Sequence, residues 1–395
     1  MKLFLRFKFV LDEIMSMDNR LKAIYSWFIN GTPKPYKVVM IPTNRCNLRC
    51  PYCPNSLDRI RGKFKKSDEL LDKEWKEIVK EGLEMGVKEW SIIGGGEPFL
   101  RKSVVLNVVR MAKKVPNTDC EIITNGTLIK ESDVKKLVRY GLDRILVSID
   151  GPNAKIHDSL RRVKGAFEKA TRSIRLISKY KKKLKREKPY IKVNMVLNRE
   201  NYKEIIPMIE FLRSIGAQEL ALHPMREYYE LPELKRFNLR KEDIKEMPKI
   251  IKKSKIIAQK YGILLNTDMV DIEMGKVTGV NSEEEKSKND NERKIPIRKR
   301  KIIKKILKCS CFEPFYTIFI DPRGDVNACS PAGRGIPSLN VREKSLREIW
   351  NSKELQKIRE LVSKGFQFEI CQKCGLTDLK MHIRNALIDG VINEV

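Results

Sequence analysis

Ile41-Pro42-Thr43-Asn44-Arg45-Cys46-Asn47-Leu48-Arg49-Cys50-Pro51-Tyr52-Cys53 sets three cysteines at C-x3-C-x2-C spacing, directly after a mostly apolar run at 36–41. Thiolates are soft ligands that select iron–sulfur clusters, zinc or copper(I). A fully ligated cubane takes four protein thiolates. This loop offers three, and the next cysteine, Cys120, lies in an apolar run of its own and reads as a buried strand thiol. Three thiolates on a four-iron cubane leave one iron open to a small molecule. A structural zinc knuckle, usually two C-x2-C-like pairs, would have to recruit a distant fourth ligand.

Outward from the loop, strands and helices alternate. Apolar strand-like runs fall at 36–42, 89–93, 120–124, 144–149, 191–197 and 219–223. Helical patterns lie between them at about 68–85, 102–114, 131–140, 164–180 and 202–214. Buried parallel strands read as near-continuous apolar runs, and alternation with helices implies right-handed βαβ crossovers. Six such strands are too few for a closed eight-stranded barrel. Ligands of parallel sheets bind at the carboxyl ends of the strands, so the loops after these runs are expected to hold the site.

With an aromatic residue, Tyr52, before the third cysteine, the C-x3-C-x2-C loop resembles the signature of the radical S-adenosylmethionine (SAM) enzymes. The resemblance implies an α/β fold with a partial (β/α)6 TIM barrel. It implies a [4Fe-4S] cluster on Cys46, Cys50 and Cys53 whose open iron is chelated by the amino and carboxylate groups of SAM. In that family an electron from the cluster cleaves SAM to a 5′-deoxyadenosyl radical, which abstracts a substrate hydrogen. Gly94-Gly95-Gly96-Glu97-Pro98 resembles the family's GGEP motif, so Gly95, Gly96 and Glu97 are expected to receive the SAM amino group. Tyr52 matches the aromatic whose backbone contacts adenine.

The strand ends at 124–127 and 147–151 resemble those of the same family, which makes Asn125, Ser148 and Asp150 SAM-contact candidates. The segment 157–161 resembles the one whose arginine, here Arg161, meets the SAM carboxylate. Turn and cap chemistry explains Asn125, Ser148 and Asp150 equally well, and His157 reads as a packed helix-start residue. Asn194, Asn198 and His223 fall at the same strand ends.

A second cysteine group, Cys309, Cys311, Cys329, Cys371 and Cys374, closes the sequence. Cys311-Phe312-Glu313-Pro314-Phe315 leads into a strand-like run at 316–320, a turn at 321–324 and a return to Cys329. A helix around 345–362 then precedes Cys371-x2-Cys374. The block resembles the SPASM and twitch domains of radical SAM enzymes, including Ser-Leu-Arg-Glu-Ile-Trp-Asn-Ser at 345–352. No cysteine follows Cys374. The resemblance therefore implies a small β-hairpin and helix domain with one auxiliary [4Fe-4S] cluster on Cys311, Cys329, Cys371 and Cys374. Cys309 is left unassigned. A four-thiolate zinc site satisfies the same spacing.

The domain plan is a 1–35 extension with an amphipathic helix near 11–28, a 36–225 barrel, a variable basic 226–308 region, a 309–379 auxiliary domain and a 380–395 tail. No apolar run approaches the ~18–20 residues that span a bilayer, and the N-terminus lacks a cleavage signature. Nine cysteines in such a chain read as metal ligands or buried thiols, which places it in the reducing cytoplasm. The net charge of +30, from 81 basic and 51 acidic residues, points to an anionic substrate or surface. An electron donor such as ferredoxin or flavodoxin is the implied redox partner. Charge keeps RNA- or lipid-modifying radical SAM chemistry open, and a non-catalytic iron–sulfur electron relay is the rival without catalysis.

Overall fold

A computed structural model describes residues 19–24, 26–28, 31, 34–225, 232–271, 304–306, 308–329, 339–368 and 371. The chain forms two compact units, one from Met40–Val79 and Trp90–Glu284, the other from Met1–Val39, Lys80–Glu89 and Glu285–Val395. The boundary falls within β1 (Lys37–Met40) and β2 (Glu89–Ile92).

In the first unit, β3 (Asp119–Thr124), β4 (Arg144–Ser148), β5 (Tyr190–Leu197), β6 (Glu219–Pro224) and β7 (Leu264–Asn266) follow β2 in that order. From β3 to β7 every pairing is parallel, and Ser148 sits opposite Asn194. The intervening helices are α1 (Ser56–Ile60), α2 (Asp72–Glu84), α3 (Lys102–Ala112), α4 (Glu131–Tyr140), α5 (Ala154–Arg161), α6 (Ala166–Lys183), α7 (Ile205–Ile215) and α8 (Lys241–Tyr261). Each long helix turns one apolar stripe inward. On α3 that stripe is Val104, Val105, Val108, Val109 and Ala112, the spacing of a core-facing helix. This is the parallel α/β sheet that the alternation implied, of the kind found in the partial barrel that the resemblance implied.

Two local differences from the sequence reading stand out. The sheet has a seventh strand, β7, whose three half-buried residues are too short a run to show periodicity. Strand β5 alternates instead of being apolar throughout. Ile191, Val193, Met195 and Leu197 are buried, while Lys192 and Asn194 point to the other face, where Lys192 pairs with Glu219 at 2.8 Å. A two-faced strand of this kind lines an interior that holds polar groups.

The second unit is assembled from three separated segments. Glu89 is nearly inaccessible and pairs with Arg20 at 2.5 Å and Lys37 at 2.6 Å. Glu81 accepts from Leu346 N (2.9 Å) and Arg347 N (3.0 Å), at the start of α9 (Leu346–Trp350). A carboxylate at a helix N-terminus satisfies donors that lack an intrahelical partner. Ser345 and Glu348 close a capping box on the same turn. An antiparallel hairpin joins β8 (Thr317–Ile320) to β9 (Asp325–Asn327), and β10 (Leu339–Asn340) adds to its edge. Arg359 of α10 (Lys353–Ser363) is fully buried, lies 4.1 Å over the Trp350 ring and donates to Pro314 O at 2.9 Å. Burial pulls its guanidinium down to about 9.

Of the amphipathic helix expected near 11–28, residues 19–24 and 26–28 are described and are helical. Of the basic 226–308 region, residues 226–231, 272–303 and 307 lie outside the described residues.

Candidate active site

The cysteine loop is fixed before its first cysteine. Thr43 Oγ1 donates to Glu69, whose carboxylate also takes a two-pronged contact from Arg45 (2.9 and 3.0 Å) and one from Arg101 (3.0 Å). Backbone pairing then continues beyond the strands: Ile93 N to Met40 O (2.9 Å), Gly96 N to Thr43 O (3.0 Å), Glu97 N to Arg45 O (2.8 Å). This is where the glycines matter. A Cβ on Gly95 would stand 1.7 Å from Asn44 Oδ1, and one on Gly96 1.9 Å from Arg45 O. The triple glycine lets two loops close on one another, a requirement separate from any ligand.

Each cysteine sulfur of the loop meets at least one N–H donor. Cys46 Sγ accepts from Leu48 N (3.4 Å) and Asn125 Nδ2 (3.8 Å), Cys50 Sγ from Arg161 Nη1 (3.6 Å), and Cys53 Sγ from Arg59 Nη1 (3.2 Å). Burial pushes the Cys46 and Cys50 thiols up; the Leu48 amide and Arg59 oppose it at Cys46, and Arg161 opposes it at Cys50. Donors aimed at sulfur are what a thiolate ligand set needs when it carries negative charge out of water. Among the described residues no three His, Cys, Asp or Glu side chains converge as ligands of a single ion. The thiolates of a cubane bind different irons and sit farther apart than ligands sharing one ion.

At the end of β4 lies a buried polar knot. Asp150 is fully buried, accepts from Tyr52 OH and from Val196 N (3.0 Å), and pairs with Arg161 Nη2 at 2.8 Å. Arg161 Nε is buried and finds no acceptor among the described residues. His157 Nδ1 accepts from Asp150 N at 3.1 Å, which places the ring proton on Nε2. Burial, with Arg161 adding to it, lowers His157 from 6.5 to about 2. Below about 6.5 the unfolded chain takes up a proton that the folded chain refuses. His157 therefore stabilises at and above that pH, and its contribution is lost on acidification. We expect stability to fall by up to about 1.4 kcal/mol per pH unit below 6.5 from this residue alone. Denaturation midpoints between about pH 7 and about pH 5 should drop less for His157→Asn than for the unmodified chain. Equal drops would remove His157 as the cause.

Glu97 is turned inward. Its carboxylate accepts from Phe99 N (3.0 Å), Thr124 Oγ1 (2.7 Å) and Asn125 N (2.8 Å), tying the glycine turn to the end of β3, and burial pushes its carboxyl up. Asn125 links that tie to the cysteine loop through Asn47 Oδ1 (3.0 Å). Ser148 is half-buried at the next strand end, beside Asn194, whose Oδ1 has no partner among the described residues. Tyr52 packs its ring edge-on to Phe237. Asn198 is buried and caps its own loop through Glu200 N (2.9 Å), and His223 is half-buried on β6. Cys120 is fully buried, as is Cys309. Cys311, Cys329 and Cys371 are half-buried, and Cys374 lies outside the described residues.

Two residues of the site escaped the sequence reading. Asn55 and Arg59, just after the third cysteine, both donate to Gly95 O.

The model of the radical SAM superfamily matches residues 40–212, and that of the SPASM iron–sulfur cluster-binding domain matches residues 309–375. The chain carries a radical SAM domain followed by a SPASM domain. It is 30% identical over 186 residues to a PqqA peptide cyclase of Granulibacter bethesdensis, covering 47% of this chain and 46% of the relative. It is 31% identical over 191 residues to an AdoMet-dependent heme synthase of Methanosarcina barkeri, covering 47% and 49%. The chain thus spans about half the length of these curated relatives. Among solved structures, Streptococcus suis SuiB bound to S-adenosylmethionine superposes with a TM-score of 0.59 at 19% identity, covering 92% of this chain and 74% of SuiB. That likeness shows the fold. The radical SAM domain binds a [4Fe-4S] cluster and SAM, and the SPASM domain binds auxiliary iron–sulfur clusters. Among the described residues no helix is long and apolar enough to cross a membrane.

Proposed function

We propose that this chain is a radical SAM enzyme that abstracts a hydrogen from a peptide substrate. The observation that carries the reading is the cysteine loop, whose three sulfurs each face an N–H donor and which contains no fourth cysteine. A [4Fe-4S] cluster bound there supplies the electron that cleaves SAM reductively to the hydrogen-abstracting 5′-deoxyadenosyl radical. Cys46, Cys50 and Cys53 hold that cluster. Arg161 keeps a buried, unused Nε donor for the SAM carboxylate, while Asp150 holds its guanidinium in place. Asn194 Oδ1, equally unsatisfied, faces the same strand ends and suits a ligand hydroxyl or amide. Glu97 supports the turn from behind, and Gly95, Gly96, Tyr52, Asn125 and Ser148 complete the SAM surround. Cys311, Cys329, Cys371 and Cys374 would hold one auxiliary cluster, which would assist redox or substrate handling.

A peptide substrate is supported by the name of the relative in Granulibacter bethesdensis, and the +30 charge suits an acidic peptide or an acidic electron donor. The test is anaerobic reconstitution with iron and sulfide, followed by dithionite and SAM. 5′-Deoxyadenosine should appear, with hydrogen loss from a peptide detectable by mass spectrometry of supplied extract. Absence of 5′-deoxyadenosine from a preparation that shows cubane absorbance would reject the reading.

A further inference from the structure

Arg59 lies six residues beyond Cys53, on α1, and is used three times. Its Nε donates to Asn44 O at 2.9 Å, its Nη2 to Gly95 O, and its Nη1 to Cys53 Sγ at 3.2 Å. The first two bonds hold the cysteine loop and the glycine turn together. The third sets a permanent positive charge against a sulfur.

The three sulfurs are unequal in this respect. Cys46 accepts hydrogen bonds from neutral donors, Leu48 N and Asn125 Nδ2, and feels the Arg59 charge only through space. Cys50 meets Arg161, but the Asp150 carboxylate 2.8 Å away offsets that charge. Arg59 has no carboxylate partner among the described residues, so its charge stands uncompensated at Cys53. The potential of an iron–sulfur cluster is set by local net charge, hydrogen bonds to sulfur and exposure. A cation against a thiolate favours the reduced, more negative state, and the half-buried site weakens its screening by water.

We propose that Arg59 is a positioning residue that raises the reduction potential of the cluster held by Cys46, Cys50 and Cys53, acting through Cys53 Sγ. This rests on the cluster reading above. The simpler alternative is a clamp that only holds two loops together, and Asn55 separates the two. Asn55 Nδ2 also donates to Gly95 O, at 2.6 Å, and among the described residues has no bond to a sulfur.

The full chain is reconstituted anaerobically and titrated against redox mediators with detection by electron paramagnetic resonance. The variant with Cys46, Cys50 and Cys53 all replaced by Ala supplies the auxiliary signal for subtraction. If that variant keeps the same iron content as the unmodified chain, the cluster reading fails, separately from the role of Arg59. Arg59→Gln, which removes the charge, should shift the midpoint to more negative values with iron content unchanged. Arg59→Lys, which keeps charge but loses the fork, should shift it less and in the same direction. Asn55→Ala should leave the midpoint at the unmodified value. An unshifted Arg59→Gln midpoint would overturn the proposal, as would an equal shift in Asn55→Ala. If Arg59→Gln takes up no cluster, Arg59→Met, which also removes the charge, decides in its place: a negative shift supports the proposal, and no shift or no cluster overturns it.

Discussion

Replacing Cys46, Cys50 and Cys53 together by Ala should halve the iron, from about eight to about four atoms per chain, because each cubane here has its own ligand set. SAM cleavage should vanish with it, since only this set leaves an iron open. The remaining iron belongs to Cys311, Cys329, Cys371 and Cys374. The measurement is iron and acid-labile sulfide per chain, paired with 5′-deoxyadenosine release under dithionite. The converse variant, lacking Cys371 and Cys374, should keep the first four irons and slow SAM cleavage once shown to be folded. An unmodified chain that never exceeds one cubane and carries zinc at its second set would overturn the assignment of an auxiliary cluster.

The second large effect is on stability. Asp150→Ala leaves the Arg161 guanidinium buried without its carboxylate and strips Tyr52 OH and Val196 N of their acceptor. Breaking a buried ion pair from one side costs about 3–5 kcal/mol. Against a typical domain stability of about 5–15 kcal/mol, that brings the chain near unfolding at ambient temperature. Asp150→Asn, which keeps an acceptor for Val196 N, should cost less. Adding Arg161→Met to Asp150→Ala should recover part of the loss, because the unpaired charge goes with it. Urea midpoints of the unmodified chain, the two Asp150 variants, Arg161→Met alone and the double variant test this. A strictly additive double variant would mean that the pair does not act as a unit.

How much of this was legible depends on what each signal rests on. The cysteine loop was readable because ligand spacing is a local property, and strands β2 to β6 because their apolar runs are long enough to show. Strand β7 was not, since Leu264-Leu265-Asn266 offers three residues and no period. Asp150 and Arg161 were singled out separately, each for a role toward SAM; that they are one another's partner is a tertiary fact. Glu97 was visible by resemblance, yet its three hydrogen bonds into the fold have no signature in the sequence. Arg59 left no trace at all. In a chain with 81 basic residues one more arginine after a cysteine motif is unremarkable until its guanidinium is seen against a sulfur.

The stitching of the second unit bears on how the protein is made. Glu81 and Glu89 belong to its middle segment, yet Glu81 closes on Leu346 and Arg347 while Glu89 closes on Arg20 and Lys37. A ribosome releases the N-terminal pairing early, at roughly 5–20 residues per second. The Glu81 carboxylate must then wait for more than half of the chain to be synthesised before its helix exists. Until then that carboxylate has no helix N-terminus to satisfy. No single cut can free this unit as an intact fragment.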